Sequence, residues 1–278
     1  WIILLIFNSN SKNMAVKQDT KESSDLLGQR NLRLNKLKHL RELGVNPFPS
    51  KTERTNLNKE IIEGFEKFEG KEVVLAGRIM SWRGHGHLIF ADIFDQSGKI
   101  QLYLKDDEYS GSANSLGFDK LSLLDVGDIV EARGVVTRTK RGEISLLVKE
   151  IKVLTKSLRP LPTELEDKED RFRRRYLDIL LHPEVKARFE RRSMFWQATR
   201  EFLNDNGFVE INTPVLEHVT GGADAKPFVT HYDALDQDFY LRISHELPLK
   251  RLLGAGFEKV YDIGPRFRNE GFSDEHLP

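Results

Sequence analysis

The chain contains no cysteine among its 278 residues. A disulfide framework and thiolate-bound zinc are therefore excluded, and with nothing else arguing for export a reducing, cytoplasmic setting is expected. Neither sign of charge is in excess, since 43 basic side chains meet 43 acidic ones. A chain without net charge exerts no general pull on a polyanion, so any nucleic-acid surface must be a local patch. Long apolar runs are missing as well. The opening WIILLIF is far shorter than the ~20 residues a membrane helix needs, and it lacks a basic leader and a small-residue cleavage site. A polar stretch begins at Met14, so residues 1–25 are expected to be disordered or non-native, and no membrane partner is expected.

What is present fits two domains. From Asp25 to Leu43 leucines recur at helical spacing, among them Leu34, Leu37 and Leu40, and Gly44 supplies a stop before Asn46-Pro47. The basic residues of that helix, Arg30, Arg33, Lys36, Lys38 and Arg41, read as a solvated face. Between Glu72 and Leu154 come VVLAGRI, HLIFADIFD, KIQLYL, DIVEARGVVTRT and EISLLVKEIKVL, separated by turns such as Gln96-Ser97-Gly98. Five such strands predict a small barrel, and the five-stranded barrel that binds single strands is the OB-fold. Taken alone, Phe90 would be a packing aromatic. His85 and His87 flank Gly86 without a third ligand nearby, so no metal residues are assigned.

Leu158-Arg159-Pro160-Leu161-Pro162 and the acidic run from Glu164 to Asp170 read as a domain linker, followed by the basic cluster Arg171, Arg173, Arg174 and Arg175. Pro183 suits the first turn of a helix reaching Asn206, with Val185, Phe189, Trp196, Thr199 and Leu203 as its inner stripe. The strand after it carries Pro214, which is tolerated at a sheet edge or an interface. Gly221-Gly222 lets a backbone approach a ligand closely. In KVYDIGPRFRNEG, Val260, Tyr261, Ile263 and Phe267 predict a half-buried strand with Arg268 and Glu270 alternating onto one face. An arginine fork suits a phosphate-like oxyanion, although spacing alone favours a plain Arg-Glu salt bridge.

In order, GFVEINTPVL, TGGADAKPF, LRISHELPLKRLL and FRNEG closely resemble class II aminoacyl-tRNA synthetases, in particular the lysyl branch. GRIMSWRGHGHLIF resembles the anticodon-binding barrel of that branch. The resemblance implies an α+β chain, a five-stranded OB-fold β-barrel followed by part of an antiparallel-sheet catalytic domain. The expected division is an N-terminal helix and connector over 26–70, the barrel over 71–157, a linker over 158–170 and the partial catalytic domain over 171–278. The implied reaction is ATP-dependent activation of lysine and its attachment to tRNA(Lys) through lysyl-adenylate. Arg78, Phe90, Gln101 and Glu143 then fall around the anticodon, where stacking and base-edge contacts read single-stranded RNA. Gly222 and Glu246 fall at the lysine site, with Glu246 on the α-ammonium. Arg268, Asn269, Glu270 and His276 fall at the ATP site, with Arg268 the catalytic group at the α-phosphate.

The resemblance also implies Mg2+ bound with ATP, its ligands beyond Pro278, and a homodimer formed through the long helix and the Pro214 strand. It breaks off inside the second signature motif, so the chain is expected to be an incomplete piece, inactive by itself. Leu277 stands where lysyl enzymes carry Asn and resembles the aspartyl branch, whereas TGGADAKPF and SHELPLKR keep lysine as the expected amino acid. The competing readings are an aspartyl- or asparaginyl-type synthetase and an OB-fold RNA-binding protein with a degenerate catalytic remnant.

Overall fold

A computed structural model describes residues 10–112, 115–162 and 164–271, with side chains from residue 25 onward apart from His85. Of the sequence-predicted site residues, His276 lies outside the described residues. The chain divides into two units, Trp1–Thr163 and Glu164–Pro278. Among the described residues no helix is long and apolar enough to cross a membrane.

The first unit opens with helix α1 (Asn10–Glu42), which stops at Gly44, where φ is 77° and the amide closes onto the Arg41 carbonyl. The stop is the expected one. The start is earlier than the leucine spacing predicts and falls inside the segment expected to be disordered, because no proline or glycine interrupts the chain between Asn10 and Leu27. The basic face of α1 is not wholly solvated either. Arg33 is buried and donates to the carbonyls of Ser157, Arg159 and Val126, and Lys36 reaches Asp125 at 2.7 Å. A guanidinium has enough donors in one plane to satisfy three carbonyls at once, which is why helical spacing alone mistakes it for a surface charge.

Two short helices, α2 (Asn58–Glu63) and α3 (Phe65–Phe68), lead into β1 (Glu72–His85), β2 (Leu88–Phe94), β3 (Lys99–Lys105), β4 (Ile129–Arg138) and β5 (Ile144–Thr155). These strands close into a barrel in the order β1-β2-β3-β5-β4, with β1 pairing both β2 and β4 and only β3 and β5 running parallel. The expected five-stranded barrel is borne out. Period-two alternation sends Ile89, Ala91, Ile93, Ile100, Leu102 and Leu104 into a core shared with Leu75, Ile79, Val130, Leu146 and Ile151. Burial of each large aliphatic side chain contributes roughly 1.5–3 kcal/mol. The same alternation leaves Leu88, Phe90, Gln101 and Tyr103 on the outer face. Gly134 sits at a register shift in β4, where a β-carbon would come 2.1 Å from the Leu147 carbonyl oxygen.

The second unit begins with α4 (Lys168–Arg173), α5 (Arg175–Leu181) and α6 (Pro183–Asp205), with Pro183 in the first turn of α6 as expected. The arginine cluster ahead of α6 is engaged by acids. Arg171 and Arg175 both donate to the buried Asp178, Arg173 pairs with Glu169 and Arg174 with Asp170. The stripe of α6 departs from expectation. Val185 is buried, but Phe189 and Trp196 are exposed, together with Met194, Phe195 and Phe202. A helical period marks an apolar stripe without saying what covers it.

Beyond α6 lie β6 (Val209–Glu210), β7 (Leu216–Glu217), β8 (Val229–Tyr232), β9 (Gln237–Leu241), α7 (Glu246–Gly254) and β10 (Val260–Tyr261). β7, β9 and β8 form an antiparallel sheet in that order, while β6 and β10 pair in parallel. Pro214 lies between β6 and β7, outside any strand, as its missing N–H donor favours. The strand expected through Arg268 and Glu270 ends at Tyr261. Pro265 cannot donate to a ladder, and past it the chain is held by single bonds, Phe267 N to Arg242 O at 2.9 Å and Asn269 N to Lys226 O at 2.7 Å.

Candidate nucleic-acid interface and amino-acid site

On the outer face of the barrel, strand register sets side chains in rows. One row runs Arg83, Phe90, Tyr103 and Leu147 across β1, β2, β3 and β5, and the next runs Ser81, Asp92, Gln101 and Ser145. The Phe90 and Tyr103 rings stack at 5.0 Å between centroids with only 9° between their planes. They lie in a cleft of about 770 Å³ whose lining includes Arg83, Asp92, Gln101, Arg138, Lys140 and Glu143. In the polar row, the Ser145 hydroxyl donates to Gln101 Oε1 at 2.9 Å. Arg138 is partly committed, since it donates to the Gly142 carbonyl and its guanidinium lies 4.6 Å from the centre of the Phe65 ring. Lys140 and Arg141, at the tip of the β4–β5 turn, are exposed.

Phe90, Gln101 and Glu143 thus come together, and Arg78 does not join them. Arg78 is paired with Phe94, four residues along β2 from Phe90, and it donates to the Gly127 carbonyl at 2.7 Å. Arg83 lines the cleft beside Phe90. A register shift between Ile79 and Ser81 separates the two arginines, and no residue pattern announces it. Tyr103 was open to recognition as the outward residue of KIQLYL by alternation alone.

In the second unit, Gly222 has φ of 80°, and a β-carbon there would meet Glu246 Cβ at 2.9 Å and Ser244 Oγ at 3.1 Å. Its neighbour Gly221 packs as closely on Leu247, where a β-carbon would lie 2.5 Å from Cδ1. The Gly-Gly loop therefore lies on the first turn of α7. Glu246 opens that helix, a place where the helix dipole favours a carboxylate, and its Oε1 holds Lys250 at 2.5 Å in an exposed pair. Arg268, Asn269 and Glu270 are exposed on the segment after β10. That segment is pinned by the carbonyls of Arg242 and Lys226, each four residues from Glu246 or Gly222. No hydrogen bond joins its side chains to Glu246 among the described residues.

Beneath these segments is a polar cluster that sequence reasoning missed. Arg242 is buried and donates to the Thr213 carbonyl at 2.8 Å, to Thr213 Oγ1 at 2.7 Å and to the Pro265 carbonyl at 3.0 Å, with Asp262 at 3.3 Å. Thr213 gives Asp262 Oδ2 both its hydroxyl and its amide. His245 Nδ1 lies 2.8 Å from the same oxygen. Burial pushes the Asp262 carboxyl up, yet the Thr213 and His245 contacts outweigh it and hold it below its ordinary value. This cluster ties the Pro214 segment, β9, the start of α7 and the chain leading to Arg268. Among the described residues no group of three or more His, Asp and Glu is gathered as for a metal ion.

An OB-fold barrel with an aromatic-centred outer cleft is thus followed by a unit of short strands around a glycine loop and a helix-opening glutamate. Residues 167–278 match the family of class II tRNA synthetases (D, K and N), and residues 73–154 match the OB-fold nucleic acid binding domain. The similarity of the chain to these class II tRNA synthetases falls on the lysine branch. It is 49% identical over 250 residues to the lysine–tRNA ligase of Carboxydothermus hydrogenoformans, an alignment covering 89% of this chain and 50% of that protein. It is 46% identical over 274 residues to the lysine–tRNA ligase of Thermoanaerobacter pseudethanolicus, covering 97% of this chain and 53% of the relative. With that of Clostridium perfringens strain SM101 it shares 48% over 254 residues, or 90% of this chain and 50% of the relative. The chain spans about half the length of the curated relatives it matches.

Proposed function

We propose that this chain forms part of a cytoplasmic enzyme that activates lysine with ATP and attaches it to tRNA(Lys), with the barrel reading the anticodon. The observation that carries the reading is the seating of Gly222 against Glu246. A bare backbone beside a helix-opening carboxylate suits an amino acid whose ammonium needs a charge-assisted acceptor. Glu246 takes the α-ammonium, since its pair with Lys250 is exposed and readily exchanged. The carboxylate of lysine is already a nucleophile at neutral pH. It attacks the α-phosphorus in line, forming the acyl–phosphate bond as the bond to the bridging oxygen breaks and pyrophosphate departs, and no enzymic base is required. Arg268 stabilises the negative charge that grows on the α-phosphate, with Asn269 and Glu270 beside it on ATP.

A hydroxyl of the terminal adenosine of the tRNA then attacks the acyl carbon and AMP leaves. At the other unit Phe90 stacks an anticodon base while Gln101 and Glu143 meet base edges, with Arg83 rather than Arg78 beside them. Mg2+ accompanies ATP phosphates in such chemistry, but the described residues gather no group of three or more His, Asp and Glu to hold it. The exposed aromatic residues of α6 support a homodimer through that helix. The test is ATP–pyrophosphate exchange by the protein carrying this chain, run separately with lysine, aspartate and asparagine. Lysine is expected to support the fastest exchange. Faster exchange with aspartate or asparagine overturns the lysine assignment and leaves the class intact.

A further inference from the structure

The cations of the barrel are unevenly committed. Among the described residues between 72 and 156, every lysine and arginine has an ion-pair or hydrogen-bond partner except Lys99, Lys140 and Arg141. These three are exposed, and all of them line the cleft that holds Phe90. A single exposed lysine without a partner is ordinary, because water solvates it well. Their gathering in one cleft, on a chain whose charges otherwise balance, makes a local positive patch. The cleft is also polarised along β3. Alternation puts Lys99, Gln101, Tyr103 and Lys105 on the outer face. Lys99 begins the strand at the end where the β4–β5 turn projects, since β3 and β5 run parallel from Gln101 and Ser145. At the far end come Asp106, Asp107 and Glu108, and Lys105 is taken by Glu108 at 2.6 Å. Asp106 and Asp107 line a neighbouring cleft that shares Leu88 and Tyr103 with the first. At ~3.3 Å per residue the two ends of β3 lie about 20 Å apart, more than twice the screening length of ~8 Å at physiological salt. An anion at one end therefore feels little of the other.

We propose that Lys99, Lys140 and Arg141 form the phosphate-binding end of this cleft. They pair with the backbone phosphates that flank the base on Phe90, so the RNA backbone passes the β4–β5 turn and not the acidic end of β3. Exposed cations without a partner suit this role, because they give up no internal contact and each phosphate they neutralise releases condensed counterions. Stacking on an aromatic ring holds the base while the basic end holds the strand, and the two contributions are separable. The inference rests on reading the cleft as an RNA-binding surface.

The test follows a fluorescein-labelled anticodon stem–loop of tRNA(Lys) binding to the 278-residue chain by anisotropy, between about 50 and 200 mM salt. Lys99→Gln, Lys140→Gln and Arg141→Gln combined are expected to flatten the log–log salt dependence by ~2, at ~0.7 per phosphate contact. Affinity at about 0.1 M salt is expected to fall ~10- to 100-fold with an unchanged melting midpoint. Lys105→Gln removes the same kind of charge at the acidic end and is expected to leave the salt dependence as it was. A stem–loop with uncharged methylphosphonate linkages through its loop needs no substitution in the protein. It is expected to flatten the salt dependence of the unaltered chain and to cost the triple variant nothing further. The inference is overturned if the triple variant keeps the parent salt dependence, or if Lys105→Gln flattens it by as much per charge. It is equally overturned if the methylphosphonate linkages cost the triple variant as much as the unaltered chain. If Phe90→Ala still weakens binding in any of these cases, the cleft reading survives. An unaltered chain that does not bind the stem–loop overturns both.

Discussion

Direction bears on the proposed role of Phe90. On a strand whose alternate residues fill the core, its side chain points outward and stacks on Tyr103, the placement a base-stacking platform would need. Phe90→Ala is therefore expected to weaken tRNA binding by ~1–3 kcal/mol, the range for one stacked base, with little change in melting temperature. A packed phenylalanine would show the opposite pair of results, lost stability with affinity falling only in proportion. Gly222 is constrained twice, by a left-handed backbone and by Glu246 Cβ at 2.9 Å from any β-carbon it could carry. Gly222→Ala is expected to cost about 1–3 kcal/mol in lysine binding. Isothermal titration with lysine checks this, and undiminished affinity removes Gly222 from the proposed site.

At the scale of elements, α1 and the barrel are joined by charges held in a dry place. Lys156 is fully buried and bridges Asp125 and Asp128 at 2.5 and 2.7 Å, while Lys36 of α1 meets the same Asp125. Lys156→Met leaves two carboxylates without their buried cation, a change that costs on the order of 3–5 kcal/mol. Urea denaturation of the first unit measures it. A loss below 1 kcal/mol would mean that water reaches the pair. The Arg242–Asp262 cluster plays the corresponding part in the second unit, since it fastens segments that share almost no ladder.

Across the whole molecule the buried acids set the response to pH. Burial pushes Asp95, Asp125, Asp178 and Asp262 up, and several contacts on each, led by those from Ser97, Lys156, Arg171 and Thr213 respectively, together outweigh it, so all four lie below the ordinary value of 3.8. Each binds its proton less readily folded than unfolded. Their contribution is therefore complete above pH 3.8 and is lost as pH falls through the lowered values. Thermal melts followed by circular dichroism are expected to show a midpoint insensitive to these groups down to that pH and a steep fall below it. A midpoint lost mainly between about pH 7 and 5 would assign the transition to histidines instead.

The sequence by itself determined what is local. Period-two alternation separated the barrel core from its outer face, Gly44 ended α1, Pro183 opened α6, and the order of TGGADAKPF, SHEL and FRNEG carried the class. The tertiary structure decided what depends on partners distant in sequence. Arg83 rather than Trp82 lies opposite Phe90 because a register shift intervenes, and Arg33 is buried because three carbonyls from other segments converge on it. The strand predicted through Arg268 ended at Tyr261 because a strand exists only where a neighbour completes its ladder. Propensity and period are written residue by residue, whereas hydrogen-bond partners and covering surfaces arise only when the chain is folded.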